Sequence, residues 1–376
     1  MMWSVMPKPP AKHPFASEAE KTLYALRMAR LGRWLVSVSG DDYRKRALGM
    51  SVLIHLKAYL DHAAQFKNKL RAAGVKVAAC EIELSRLRRD FDSDYTRVRD
   101  KLGAHRQDVD LVERLELWNS VEQLSTTLLV DDASEAWEAL VSSSMTFPSL
   151  TDLPALESAP IAAGFGVSTR ASAVGEEFTA DNLGHAQAGA FSPVLIPGIQ
   201  ERLGQVISVI RFGAEVCAMS TITGDRDVQR ILRGLFTVSA LNLLENLFPT
   251  VQVSRPAHVP ETLITALDAD GQPAAADVLR RAEAKLDRDL ITRLVGARGH
   301  IAAHVDQCQP LRTSLAELDQ LQMNGVSDLL RGPWEAVGEA CSLVPALNTF
   351  WRLEGMRTSG YASFEPRETV SPFEVR

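Results

Sequence analysis

The segments LRRDFDSDYTRVRDKLGAH (87–105) and LDRDLITRLVGARGHIAAH (286–304) decide the architecture that this sequence predicts. Offset by 199 positions, they share six identical residues in nineteen, including the final histidine and the arginine six positions before it. Two copies of one unit keep matching residues while their offset drifts, because loop lengths change between copies. The pair therefore predicts a chain that arose by duplication of one helical unit.

Matches at nearby offsets extend this repeat through both halves of the chain. An offset of 185 aligns three identical residues of the two halves, namely Asp42, Gly49 and Leu56 with Asp227, Gly234 and Leu241. The triplet Trp-Glu-Ala at 137–139 recurs at 334–336. Matches in the same order over most of the chain indicate a repeated domain.

The length and composition of the chain agree with two helical domains. Its 376 residues suit two domains of ordinary size, each able to bury a core. Apolar residues make up 46% and charged residues 23%, and Leu, Ala, Glu and Arg, all favourable in helices, dominate the long segments. We therefore expect an all-α fold of two tandem, related antiparallel helical bundles, packed as an internal pseudo-dimer.

Hydrophobic periodicity and turn residues place the boundaries of these parts. We expect an N-terminal extension, a first bundle, a Pro/Gly/Ser-rich linker, a second bundle and a C-terminal tail, at 1–16, 17–145, 146–198, 199–355 and 356–376. The helices predicted in the first bundle are 17–39, 42–71, 77–104, 108–128 and one around Trp137, which Asp131, Asp132 and Ser134 separate from its predecessor. Those of the second begin at Ile199 and continue through 226–248, 273–306, 312–323 and 327–353.

Charge, cysteines and hydropathy exclude several classes of protein. A net charge of −6 argues against a nucleic-acid binder held by a wholly basic surface, so any RNA contact needs a local basic patch. Cys80, Cys217, Cys308 and Cys341 lie far apart without C-x-x-C spacing, as in a protein with reduced thiols. No export signal and no apolar run of membrane-spanning length is present, so we expect a cytoplasmic protein without membrane contact.

The repeated arginine and histidine suit one kind of chemistry. Arg99 and His105 form one R-x5-H motif, and Arg298 and His304 form the other. Imidazole exchanges protons near neutral pH, and guanidinium donates a fixed fork of hydrogen bonds to a phosphate. Together they can cleave RNA through its own 2′-hydroxyl without a metal. Packing of the two bundles would bring both pairs into one cleft with a base, an acid and two cations.

These two motifs, late in the long third helix of paired all-α bundles, resemble the HEPN superfamily, whose hallmark is R-x4-6-H with a polar residue after the arginine. The resemblance implies a metal-independent endoribonuclease of the abortive-infection or toxin type, with an active site at a dimer or pseudo-dimer interface. It further implies an RNA substrate, an antitoxin or other protein regulator as partner, and a homo-oligomer as an alternative source of the second motif.

The two copies differ at the position after the arginine. Asp100 follows Arg99 and fits the family pattern as a supporting residue, whereas Gly299 follows Arg298. We therefore expect catalysis to depend more on the first copy, so that loss of His105 lowers the cleavage rate more than loss of His304 does.

The helix that carries the first motif is locally basic. Between positions 86 and 106 there are seven basic residues and four acidic ones. We expect Arg97, Lys101, Arg106 and Tyr95 to contact RNA, although a solvated charged face and simple packing of Tyr95 are the alternatives.

Two other functions remain open. One is a non-catalytic helical regulator that binds RNA or a protein, which burial of either motif in a packed core would favour. The other is a zinc site, because His300, His304 and Cys308 share one helical stripe. In the first copy, Lys101 and Val109 stand at the positions of His300 and Cys308. No fourth ligand is evident either, so we expect no metal and no other cofactor.

Overall fold

The structure is a computed structural model, and the residues that it describes are all helix, turn or short connection, without a strand. It describes residues 15–39, 42–100, 117, 120–121, 123–142, 150, 199, 202–204, 206, 209, 213, 216, 225–251, 262–299, 310–321, 323–345 and 347–348. The all-α prediction is confirmed. The tandem pseudo-dimer and the domain boundaries stay predictions.

The first half begins with two long helices that pack on each other and continues with three more. Their bounds are α1 Ala16–Val38, α2 Asp42–Ala72, α3 Ala78–Asp94, α4 Thr96–Val98 and α5 Gln123–Ser142. Helix α2 ends where Gly74 takes a φ of +80°, a left-handed conformation that glycine adopts without steric cost. The predicted bounds of α1 and α2 agree with the structure to within one residue.

The described part of the second half is also helical, with more and shorter helices than the first. The described residues from 199 to 216 are helical and are followed by α6 Arg226–Leu247, α7 Leu263–Ala269, α8 Pro273–Glu283, α9 Arg288–Ala297, α10 Leu311–Gln320 and α11 Met323–Ser342. Helix α6 begins at Asp225, whose carboxylate accepts hydrogen bonds from two backbone N–H groups of the first turn.

The predicted break between two helices at residues 131–134 is wrong. Helix α5 runs through these positions because each polar side chain finds a partner that is compatible with a helix. Asp131 pairs with Arg33 of α1 and Asp132 with Arg86 of α3, while Ser134 donates to the carbonyl oxygen of Val130 at 2.8 Å. Residues that favour turns in isolation therefore remain helical when tertiary ion pairs hold them.

In the second half, the helix predicted over 273–306 is interrupted within the described residues. Helix α8 ends at Glu283 and α9 begins at Arg288, because Asp287 caps α9 by accepting from the N–H of Leu290 at 2.9 Å. The short helix α7 was not predicted. Its sequence signal is the capping box of Thr262 and Thr265, in which each side chain bonds the backbone of the other residue.

In each half a glycine lies where two helical segments touch. In the first half a Cβ at Gly32 would lie 2.9 Å from a methyl group of Val52, so α1 and α2 touch there. In the second half a Cβ at Gly213 would lie 2.8 Å from the Oγ of Ser239 on α6. Glycine permits such close contact because it has no side chain.

The buried apolar residues of the described chain form one continuous core. It includes Leu26 of α1, Trp137 of α5, Leu244 of α6 and Val337 of α11. Helix α1 contacts α6 and α10, so the two halves share a helix–helix interface.

A cluster of ion pairs fastens α10 to α6 beside this interface. The carboxylate of Asp319 accepts hydrogen bonds from Arg226 at 2.7 Å and from Arg230 at 2.7 and 3.0 Å. Arg233 donates to the carbonyl oxygen of Asp319 at 2.8 Å. Burial alone would raise the pKa of Asp319, but Arg230 and Arg226 together hold it below its usual value. A single aspartate thus joins three cations of α6.

The neighbouring Asp227 is buried, and its pKa is shifted in the opposite direction from that of Asp319. It pairs with Arg230 at 3.1 Å and its side chain is 1% exposed. Burial raises its pKa to about 6, and the attraction of Arg230 only partly opposes this effect. The charged form of Asp227 is therefore costly in the folded protein.

We predict that Asp319→Ala lowers the free energy of unfolding by about 3 kcal/mol, since it removes the carboxylate that Arg226 and Arg230 share and leaves the buried Arg230 with Asp227 alone. Urea denaturation measures the change. Asp328→Ala is the matched control, because Asp328 is exposed and, among the described residues, pairs with Arg331 one turn away, and we expect less than about 0.5 kcal/mol there. Equal losses in the two variants would contradict the role of Asp319.

The second prediction concerns pH. Because the pKa of Asp227 is higher in the folded than in the unfolded state, its contribution favours folding at low pH and is lost as pH rises from about 4 to about 6. The free energy of unfolding of Asp227→Asn should therefore rise relative to wild type by about 3 kcal/mol between pH 4 and pH 7. Asp328→Asn should show no such trend, and a flat difference for Asp227→Asn would refute the assignment.

Candidate functional site

The arginine of the first motif lies at the end of α4, where the helix widens into a π-helical turn at residues 99–100. Its backbone has φ −60° and ψ −46°, and its N–H bonds the carbonyl oxygen of Tyr95 at 2.9 Å. The side chain of Arg99 is buried, with 5% of the residue exposed. π-Helical turns are rare and often occur at functional sites.

The arginine of the second motif has almost the same local structure. Arg298 follows α9, begins a π-helical turn at residues 298–299, and has φ −60° and ψ −50°. Its N–H bonds the carbonyl oxygen of Leu294, which is the position equivalent to Tyr95 at the offset of 199. Arg298 is also buried, at 4% exposure. The two motifs therefore present their arginines from matching backbone turns.

Each arginine has a carboxylate beside it, but the two carboxylates come from different places. Arg99 donates from Nη1 to Oδ1 of Asp100 at 2.5 Å, so the residue after the arginine orients its guanidinium as the sequence predicts. In the second copy, Nη1 of Arg298 lies 3.8 Å from Oε1 of Glu245, a residue of α6 that is 4% exposed. Sequence analysis missed Glu245, whose only signal is an acidic residue in the apolar helix FTVSALNLLENL.

The charge of Arg99 has an effect on the pKa of Arg298. The pKa of Arg298 is lowered, mainly by burial, and the positive charge of Arg99 lowers it further while Glu245 acts in the opposite direction. Arg99 therefore lies near enough to act on Arg298 through the protein interior. Two like charges held close together in a buried place are costly, and such arrangements are concentrated at functional sites.

The histidines of both motifs lie outside the described residues, and so do Lys101 and Arg106. The same is true of His300 and Cys308, the other two residues of the zinc alternative. Within the part of the chain that the structure describes, no three His, Cys, Asp or Glu side chains form a metal-binding group.

The other residues predicted to contact RNA differ in exposure. Arg97 is exposed, whereas Tyr95 is 7% exposed and packs on Phe91 with ring centroids 6.3 Å apart. The packing alternative therefore describes Tyr95, which cannot stack on a base from this position.

The basic character of this helix is also reduced by ion pairs. Arg86 pairs with Asp132 at 2.8 Å, and Arg88 with Asp61 at 3.5 Å. With Asp100 beside Arg99, the carboxylates of α2, α5 and the motif itself offset much of the local positive charge predicted from sequence.

A separate cleft of about 720 Å³ lies between α8, α9 and α11. Lys285 and Arg293 line one wall, and Asp328, Glu335 and Glu339 line the other. None of its lining residues belongs to either motif. Because its walls carry both signs of charge, the cleft has no preference for a polyanion.

No helix in the described ranges combines the length and apolarity needed to cross a membrane. The chain matches no protein-family model, and no curated protein or solved structure matches it.

Proposed function

We propose that the chain is a metal-independent endoribonuclease in which the two R-x5-H motifs form one composite site at the interface of its halves. Arg99 and Arg298 bind the phosphate at the cleavage point, and His105 and His304 act as general base and general acid. The substrate is RNA, as the HEPN resemblance implies, and a role in antiphage defence or a toxin system with a protein regulator belongs to the same proposal.

The observation that carries the proposal is the matching backbone turn of the two arginines, together with the effect of Arg99 on the pKa of Arg298. Each begins a π-helical turn with the same backbone conformation, and the charge of one acts on the other. A purely structural role gives no reason to bring two guanidinium groups of like charge together in a buried place. A phosphate that gains negative charge during the reaction would relieve this repulsion, so the pair is suited to stabilise the transition state.

The proposed reaction needs no redox step and no metal. One histidine removes the proton of the 2′-hydroxyl, whose oxygen attacks the adjacent phosphorus. The bond to the 5′-oxygen breaks, and the second histidine returns a proton to that oxygen. The products are a 2′,3′-cyclic phosphate and a 5′-hydroxyl, while Asp100 holds the guanidinium of Arg99 in place.

A second candidate function is a non-catalytic regulator that binds RNA or a protein. The burial of both arginines favours it, because a substrate phosphate needs access to the guanidinium groups. The partial neutralisation of the basic helix points the same way. In this candidate the motif arginines join the two halves of a binding protein, and no bond is cleaved.

Purified protein incubated with labelled RNA in EDTA should release fragments with 2′,3′-cyclic phosphate ends. Arg99→Lys should lower the rate by about a hundredfold, since an ammonium keeps the charge but not the planar fork. Arg312→Lys is the matched control, because Arg312 is an exposed arginine of α10 that belongs neither to the motifs nor to the expected RNA contacts, and its rate should stay within about threefold of wild type.

Cleavage that is unchanged in Arg99→Lys would assign the activity to another site or to a contaminant. RNA or protein binding without cleavage, lost in Arg99→Lys and kept in Arg312→Lys, would replace the ribonuclease with the non-catalytic regulator.

A further inference from the structure

We propose that Glu245 is the positioning residue of the second motif and replaces, from a neighbouring helix, the polar residue that follows the arginine in the first. The inference rests on the proposed function. It makes the second motif complete in three dimensions, although Gly299 makes it incomplete in sequence.

The contacts place Glu245 in this role. It lies near the end of α6, a helix that packs on α9, and its carboxylate approaches the guanidinium of Arg298 to 3.8 Å. Both side chains are almost wholly buried, at 4% and 5% exposure. Charges removed from water are costly unless an opposite charge lies beside them, so the two groups stabilise each other there.

The two copies differ in the sequence position of the carboxylate that lies beside the arginine. At the offset of 185 that aligns α2 with α6, the position equivalent to Glu245 is Leu60, an apolar residue of α2 that is 2% exposed. At the offset of 199, Asp100 is equivalent to Gly299. Each copy therefore has one carboxylate for its arginine, placed after the arginine in the first and on the preceding long helix in the second.

This difference changes the expected roles of the two motifs. Sequence analysis ranked the second below the first because glycine follows its arginine. With Glu245 at 3.8 Å, Arg298 has a buried carboxylate beside its guanidinium, as Arg99 has Asp100, and it extends from an equivalent backbone turn. Both motifs are then equipped to take part in one reaction.

The difference can be reversed by mutation. A Cβ built at Gly299 meets no other atom within 4 Å, so an aspartate fits at the position that Asp100 occupies in the first copy. Gly296 is equally open but lies two residues before Arg298 on another side of the helix. The two glycines thus provide a rescue position and a matched control with the same change of residue type.

The experiment compares wild type with Glu245→Gln, with Glu245→Gln/Gly299→Asp and with Glu245→Gln/Gly296→Asp. The unfolding equilibrium in urea and the rate of RNA cleavage are measured for each. We expect Glu245→Gln to raise the unfolding equilibrium constant by about a hundredfold and the cleavage rate to fall. Adding Gly299→Asp should lower that constant again by at least about tenfold and restore part of the cleavage rate. Adding Gly296→Asp should do neither.

Equal effects of the two aspartates would overturn the inference, as would a Glu245→Gln variant with unchanged stability. If Glu245→Gln does not fold, the test becomes whether Gly299→Asp alone restores folding and Gly296→Asp does not. Rescue of stability in a protein that never cleaves RNA would refute the proposed function and retain the pairing. Cleavage without position-specific rescue would refute the pairing and retain the function.

Discussion

The repulsion between two buried arginines is the constraint on which the proposed site depends. Arg99 and Arg298 come from opposite halves of the chain, and the charge of the first acts on the second through the protein interior. Such a pair is stable only where carboxylates lie beside the guanidinium groups, and Asp100 and Glu245 fill this requirement. The ends of α4, α6 and α9 must therefore be held together by the rest of the fold.

The interface between the halves supplies this support. Helix α1 packs on α2 through Gly32 and also contacts α6 and α10 of the other half. Asp319 fastens α10 to three arginines of α6, the helix that carries Glu245. Movement of α6 relative to α9 would separate Glu245 from Arg298, so ion pairs distant from the motifs influence the charge balance beside them.

Sequence reasoning predicted the fold well where periodicity and local signals agreed. The ends of α1 and α2 follow from amphipathic spacing and a glycine stop. The break predicted at residues 131–134 failed because Arg33 and Arg86, distant in sequence, hold Asp131 and Asp132 within a helix. Local propensity does not include such tertiary partners.

The surroundings of the two arginines were predictable in part. The recurrence of R-x5-H drew attention to Arg99 and Arg298, and the family pattern drew attention to Asp100, which contacts Arg99. Glu245 could not be found in this way, because its role depends on the packing of α6 against α9 and not on its distance from Arg298 along the chain. A buried acidic residue in an apolar helix signals a partner without naming it.

The central claim is that the two motifs form one site. The cleavage rates of His105→Ala, His304→Ala and the double variant test it most directly. One composite site predicts that each single change lowers the rate by about a hundredfold or more, and that the double variant is little slower than the slower single variant. Two independent sites would leave about half of the rate in each single variant and abolish it only in the double variant, a result that would contradict this account.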